Sequence, residues 1–197
     1  MAQSEKYQNF YNYLINQAHL LPDQFDSIKH LIRTKHYPKG SILLSKGEIA
    51  RNIFFVEKGL LRFYSIDHKG KEHILQFAQE NWWLSDRNSL RNEDPCSYYI
   101  DAHEDTDVIL VNHDFIIQAS EISDPFLEFH ERLLQRHIEQ LYHRVNLLIG
   151  TDAKERYLEF IRNYPLLPQR VPQWMIASYL GITPEGLSRI RKEIARG

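Results

Sequence analysis

The sequence predicts an α+β protein: a unit of short strands, then one long helix, then a compact all-α C-terminus. Three observations predict it. Between Tyr37 and about Asn112, short segments rich in Ile, Leu, Val, Phe and Tyr alternate with turn pieces carrying Gly, Pro or Asn, the pattern of an all-β sandwich or roll. From Pro125 to Ile149 no further Gly or Pro interrupts the chain, and leucines recur every seven residues at Leu127, Leu134, Leu141 and Leu148, a helical seam period. Beyond Gly150, short helical patterns are punctuated by Pro165, Pro168, Pro172, Gly181 and Pro184.

Taken in order, residues 4–35 read as helical, with apolar positions at Phe10, Leu14, Phe25, Ile28, Leu31 and Ile32. The Leu21-Pro22-Asp23 step divides them into two short helices, because Pro suits a first helical position. The expected strands are Ser41–Ser45, Asn52–Glu57, Leu60–Ile66, Glu72–Phe77, Tyr98–His103 and Asp107–Val111. Pieces such as Pro38-Lys39-Gly40, Lys58-Gly59, Asp67-His68-Lys69-Gly70 and Arg91-Asn92-Glu93-Asp94-Pro95 supply the turns. After His113 the strand pattern stops. In the long helix Ile138 and Val145 take the alternate core position, while its first half is less regular because Glu131 stands at the corresponding place. Two readings are open: a helix packed on its own β unit, or a two-helix dimer seam. Charged flanks at Glu128, Glu131, Arg132, Arg136, Glu139 and Arg144 favour the seam. Gly150-Thr151-Asp152 ends this helix and caps the next, Ala153 to about Asn163; Tyr164–Pro168 is a linker that cannot continue it. The expected divisions are 1–125, 126–150 and 151–197.

Composition narrows the function classes. With 197 residues, 25% charged and 43% hydrophobic, the chain is ordinary globular material, neither low-complexity nor disordered. One cysteine, Cys96, excludes an internal disulfide framework, a four-Cys zinc site and a cysteine-held iron–sulfur cluster within one chain. No apolar run approaches the roughly 18 residues that span a bilayer, and Met1–Gln8 is polar with no signal-peptide core. The expectation is a cytoplasmic protein with no membrane partner. The net charge of −2 hides an asymmetry. Residues 151–197 carry eight Lys or Arg against five Asp or Glu, so a basic tail follows an acidic body, a signal of a charged partner.

The most informative stretch is Val171–Lys192. Pro172 opens a short helix, small Ala177 lets a second helix approach, Gly181 makes the turn and Ile182 plugs the angle. Thr183 caps a second helix with Pro184 at its first position. There Leu187, Ile190 and Ile194 share one side, while Glu185, Ser188, Arg189, Lys192 and Arg196 fall largely on the other. A plain αα-hairpin can show the same apolar pattern. The conjunction of Ala, Gly, buried Ile, capping Thr-Pro and basic face instead indicates a DNA-binding helix-turn-helix. Arg189 is the candidate for a two-pronged guanine contact, with Glu185 accepting from cytosine or orienting Arg189. Ser188, Arg191 and Lys192 are expected at phosphates, which position the helix.

With these residues in view, most of the chain resembles the CRP/FNR (cyclic-AMP receptor protein) family of transcription regulators. Local matches are Gly70–Leu75 with Trp82-Trp83-Leu84-Ser85-Asp86, then Cys96-Ser97-Tyr98, and Thr183, Glu185 and Arg189 spaced as in the family's recognition helix. The resemblance implies an N-terminal β-roll, the double-stranded jelly roll of cyclic-nucleotide-binding domains, followed by a dimerisation helix and the helix-turn-helix. It also implies a homodimer, double-stranded DNA with a near-palindromic operator, and RNA polymerase as a further partner. The implied seam is Leu127, Leu134, Ile138, Leu141, Val145 and Leu148. Two departures matter. Where cyclic-nucleotide-binding members have Gly-Glu for the ribose and Arg-Ser for the cyclic phosphate, this chain reads Ser85-Asp86 and Cys96-Ser97. A buried phosphate without a cation or dense N–H donors is costly. Arg87 and Arg91 are the available substitutes, but an effector other than a cyclic nucleotide is expected. The FNR-type cluster cysteines are also missing. Second, no β-hairpin wing follows the recognition helix before Gly197, so phosphate anchoring is expected from the helix-turn-helix itself.

Other chemistries find little support. The ten histidines never form the His-x-His pair of a cupin metal site, so no metal or cofactor is expected. No P-loop, Gly-x-Ser-x-Gly or Cys-His arrangement indicates an enzyme. Trp82, Trp83, Ser85, Asp86, Arg87, Cys96, Ser97 and Tyr98 are the candidate effector-pocket residues, although aromatics at strand positions more often fill a core. Cys96 reads as a core or loop thiol rather than a redox sensor. The rival to a regulator is a non-catalytic sensor or interaction module with a vestigial helix-turn-helix.

Overall fold

The computed structural model describes residues 7–196. Helices α1 (Gln8–Ala18) and α2 (Pro22–Ile28) and a 3-10 turn at Lys29–Leu31 precede the strands. These are β1 (Arg33–Tyr37), β2 (Ile42–Leu44), β3 (Ile53–Lys58), β4 (Leu61–Ile66), β5 (Glu72–Ala78), β6 (Trp83–Leu84), β7 (Tyr99–Ala102) and β8 (Thr106–Val111). Helix α3 (Arg87–Asn92) lies between β6 and β7. After β8 come α4 (His113–Ile122), α5 (Asp124–Gly150), α6 (Ala153–Asn163), α7 (Leu167–Arg170), α8 (Gln173–Leu180) and α9 (Pro184–Ile194).

The strands form two four-stranded sheets, ordered β1-β8-β3-β6 and β2-β7-β4-β5. β8 is antiparallel to both its neighbours, with Arg33 opposite Leu110 and Ile53 opposite Val111. One core draws on both sheets through Leu44, Phe54, Val56, Leu61, Ile100 and Val108. A second core covers the other face of the first sheet, where Ile53, Phe55, Ile109 and Val111 meet Phe10, Leu14 and Phe25 of the N-terminal helices and Phe115, Phe126 and Phe129 of α4 and α5. β3 and β8 are therefore buried on both faces, so their sequences run apolar without alternation. Between β3 and β4, Gly59 has φ +102, and a Cβ there would lie 2.6 Å from Thr106 Oγ1. Only glycine fits that turn.

Several expectations change here. Residues 33–35, read as helical, open β1; their side chains are exposed, and it is pairing with β8 that makes them strand. The helix expected from residue 4 falls partly outside the described residues at Ser4–Lys6, as does the chain end at Gly197. Arg91 and Asn92, read as turn, close α3. α4 was not anticipated, although Asn112 caps it by accepting the Phe115 N–H at 3.0 Å. α1 lacks a side-chain cap of its own. The Glu57 carboxylate at the end of β3 instead accepts the Asn9 and Phe10 N–H groups at 2.7 and 2.9 Å.

Contacts divide the chain into two compact units. The first takes the chain up to Phe63 with Phe77–Leu134; the second joins Tyr64–Gln76 to the chain from Gln135 onward. In the second unit, Asp152 caps α6 by accepting the Glu155 N–H at 2.9 Å. Tyr157, Phe160, Leu167, Met175, Ile176, Ala177, Leu180 and Leu187 make its core.

Candidate nucleic-acid interface and effector site

The helix-turn-helix is built locally. α8 stops because Gly181 adopts φ +68, and its N–H together with that of Ile182 closes onto Ala177 and Ser178 carbonyls. A Cβ on Gly181 would lie 3.3 Å from Leu148 Cδ2 of α5. Thr183 Oγ1 then accepts the Gly186 N–H at 3.1 Å, which starts α9. Ala177 and Leu187 are fully buried where α8 and α9 meet, while Ile182, Ile190 and Ile194 are half-buried.

The other side of α9 is open. Thr183, Glu185, Arg189, Lys192 and Arg196 are exposed, and Ser188 and Arg191 are half-buried. Glu185 and Arg189 are four residues apart and lie one above the other on the helix surface. Among the described residues none of Glu185, Arg189, Arg191 and Lys192 is engaged in a salt bridge. Glu193, by contrast, pairs with Lys154 at 2.5 Å and ties α9 to α6. The basic excess of the tail thus has two parts. Arg162 pairs with Glu159 at 2.6 Å. Arg156 donates to Leu180 O at 3.1 Å and Thr151 O at 2.6 Å, where it complements the negative C-terminal end of α8. Arg189, Arg191 and Lys192 lie on α9 and enter none of these clamps. Counting charge in the sequence gave no way to separate the two groups, because both follow the same helical period.

On α5, Phe126 and Phe129 are buried in the core of the first unit. The neighbouring stripe is different: Leu127, Ile138, Leu141, Val145 and Leu148 are 41–51% exposed, and Leu134 is half-buried. An apolar heptad row left open along a helix about 40 Å long needs a covering partner.

The candidate effector residues divide between two cores. Trp82 and Tyr98 pack on the core between the sheets, whereas Trp83 packs on the other core against Phe10, Tyr13 and Phe55. Neighbours on a strand point to opposite faces. Tyr98 stacks obliquely on Phe63 at 4.8 Å between centroids. Arg87 is exposed; burial first, then the charges of Arg87 and His113, push the His130 pKa down. Ser97 is exposed, while Ser85 Oγ donates to Asn52 O at 3.2 Å.

Asp86 and Cys96 form a closed arrangement. Asp86 is 6% exposed and its carboxylate accepts the Ser89 N–H at 3.1 Å, capping α3. Ser89 Oγ in turn donates to Asp94 O at 2.6 Å and accepts the Ala50 N–H at 2.8 Å. Cys96 is buried, with Sγ accepting the Tyr98 N–H at 3.2 Å. Burial, then the Asp86 carboxylate, push its thiol up to about 11. It is neither a cation for a phosphate nor a ready thiolate. Among the described residues no group of three His, Cys, Asp or Glu is placed to hold a metal, and no helix is long and apolar enough to cross a membrane.

Residues 34–122 match the family described as "Cyclic nucleotide-binding domain". The chain is 20% identical over 166 residues to the cAMP-activated global transcriptional regulator CRP of Pasteurella multocida, covering 79% of each protein. Among solved structures, a CooA mutant from Carboxydothermus hydrogenoformans superposes with a TM-score of 0.70 at 19% identity, covering 91% of this chain and 88% of that one. FixK2 from Bradyrhizobium japonicum does so with a TM-score of 0.67 at 22% identity, covering 84% and 85%.

Proposed function

With residues 34–122 matching the cyclic nucleotide-binding domain family and 84–91% of the chain sharing the fold of FixK2 and CooA, we propose that this protein is a dimeric, sequence-specific DNA-binding transcription regulator of the CRP/FNR type. The observation that carries the reading is the free face of α9. Glu185, Arg189 and Lys192 project from a capped helix whose opposite side is anchored by buried Leu187. Such a helix, about 16 Å long, fits a major groove roughly 12 Å wide. In this reading Arg189 reads a guanine, Glu185 accepts from cytosine or orients Arg189, and Thr183, Ser188, Arg191 and Lys192 hold the backbone.

The open row on α5 supports a second copy as its cover. A twofold pair of α9 helices would meet half-sites about 34 Å apart on a near-palindromic operator, with RNA polymerase as the further partner. Residues 1–125 then serve as sensor, 126–150 as dimerisation helix and 151–197 as DNA-binding domain, acting in the cytoplasm without catalysis. The closed Asp86–Cys96 arrangement supports an effector that is not a cyclic nucleotide. A carboxylate already caps α3, and an incoming phosphate would meet its charge.

The test is selection of preferred duplexes from a random pool by the purified protein, followed by Arg189→Ala. The expected result is one preferred near-palindromic site in the wild type. The substitution should cost about 1–3 kcal/mol at one base pair, with relaxed preference there. No preferred site would overturn the reading in favour of an interaction module whose output is α5.

A further inference from the structure

A cleft of about 490 Å³ lies across β1, β8 and β3 of the first sheet, lined by Thr34, Lys35 and His36, by Glu57 and Lys58, and by Asp107. Its volume falls in the range of small-ligand sites. The ladder between β3 and β8 shifts at this place. Val56 stands opposite Val108 and Lys58 opposite Asp107, which leaves Glu57 as the extra residue of a bulge. Bulges re-aim side chains and gather beside functional sites. This one sends the Glu57 carboxylate to the start of α1, where it accepts the Asn9 and Phe10 N–H groups at 2.7 and 2.9 Å.

The polar groups of the cleft are only partly used within the chain. Asp107 Oδ1 pairs with His36 Nδ1 at 2.8 Å, while Asp107 Oδ2 enters no hydrogen bond or ion pair among the described residues. Glu57 accepts two N–H groups, and a carboxylate has sites for about four. The Lys58 ammonium and the Thr34 hydroxyl are likewise unengaged among the described residues. Burial raises the Glu57 pKa against the two backbone hydrogen bonds that lower it, and the Asp107 charge adds to the rise. Two such carboxylates favour an incoming positive group. Lys58 supplies the opposite charge, with Lys35 held over the Tyr37 ring at 4.3 Å. A simple anion would meet Glu57 and Asp107, and a simple cation would meet the lysines. A molecule bearing both charges avoids both repulsions when its ammonium faces the carboxylates and its carboxylate faces Lys58.

We propose that this cleft binds a small zwitterion, a free amino acid, with Asp107 and Glu57 receiving its ammonium and Lys58 its carboxylate. Glu57 is then shared between the ligand and the first turn of α1, so occupancy is felt at that helix. α1 packs in turn on the start of α5, where the Tyr13 ring lies 5.8 Å from that of Phe129. All of these residues belong to the first unit, and the cleft shares none of them with the closed Asp86–Cys96 arrangement. That path makes the cleft an effector site. The effector role rests on the regulator reading above, whereas the binding itself does not.

The full-length protein is mixed with the standard L-amino acids, each at about 1 mM, and saturation-transfer NMR shows which are bound. At least one should bind. Its decarboxylated amine and its deaminated acid, each carrying a single charge, should not bind at the same concentration. Asp107→Asn and Lys58→Gln should each weaken binding by about tenfold or more. Circular dichroism shows whether each variant stays folded, and Lys58→Gln, at an exposed position, carries the test if Asp107→Asn does not. The bound amino acid should also speed hydrogen exchange at the Asn9 and Phe10 amides by about threefold or more, because Glu57 then divides its charge between ligand and helix. No bound amino acid, or binding that both variants retain at full strength, overturns the site. Equal binding of the amine or the acid alone overturns recognition of a zwitterion. Unchanged or slower exchange at Asn9 and Phe10 overturns the link to α1. Should the protein select no duplex, the effector role falls with the regulator reading, while the NMR result still decides whether the cleft binds an amino acid.

Discussion

Replacing Leu141 by Glu tests the proposed dimer seam most sharply. Leu141 sits 48% exposed in the middle of the row, flanked by Ile138 at 45% and Val145 at 51%. Fully burying such a side chain is worth about 1.5–3 kcal/mol, so covering the exposed half gains about 1 kcal/mol per residue. Across two protomers, the five most exposed members of the row contribute about 10 kcal/mol on that basis, against an association cost of about 4–15 kcal/mol. The margin is therefore narrow. Glu at 141 removes about 2 kcal/mol of burial from the pair and places two carboxylates where they would lose water. Together these should weaken the dimer by about two orders of magnitude or more in Kd. Sedimentation over a concentration series reads this directly, and acidification that protonates the new carboxylates should partly restore the dimer. Gln140→Glu, one residue away on the exposed flank of the same helix, should leave association unchanged. A Leu141→Glu protein that sediments as wild type would refute the assignment of this row as the seam. So would a wild type that is monomeric at every concentration.

Cys96, buried and with its thiol pushed up to about 11, should react with iodoacetamide at pH 7.5 far more slowly in the native protein than after denaturation; fast native labelling would contradict the closed Asp86–Cys96 arrangement. Calorimetric titration with cyclic AMP should show no micromolar binding, for the same reason. Asp67 accepts the Lys69 and Lys71 N–H groups and pairs with His73, and its pKa is lowered first by the His73 hydrogen bond and then by those backbone bonds. A carboxyl with a depressed folded-state pKa stabilises the protein above its unfolded value near 3.8 and loses that contribution as the pH falls through the folded value. Asp67→Asn should therefore flatten the acid side of the hairpin's stability profile while leaving the neutral side nearly level, as followed by exchange at Lys69 and Lys71.

How much could be read without coordinates varies with the range of the interactions involved. The helix-turn-helix was legible because its signals lie within one turn of one another: a Gly in the left-handed region at 181, a Thr cap at 183, a Pro at 184, and apolar positions three or four apart. The boundaries of α6 and the seven-residue row of α5 were legible on the same ground. β1 was not, because Arg33–Lys35 carry no apolar alternation and become strand only by pairing with β8 more than seventy residues away. α4 was missed although its Asn112 cap and buried Phe115 and Ala119 were in plain view. The adjacent strand and the long helix drew the boundary past it.

The amino-acid order by itself determined the succession of a strand-rich unit, one long helix and a short-helix C-terminus, and the side of α9 that faces outward, since caps, turns and periodicity act between near neighbours in the chain. Tertiary packing alone decided the rest. It separated Trp82 from Trp83 onto opposite faces of a sheet, turned Asp86 and Cys96 into a self-satisfied pair, and divided the basic tail into internal clamps and a free face. It also gathered His36, Glu57 and Asp107 from three strands into one cleft. Each of these outcomes depends on which distant backbone group or cavity a side chain meets, and that is settled only when the sheets and helices close on one another.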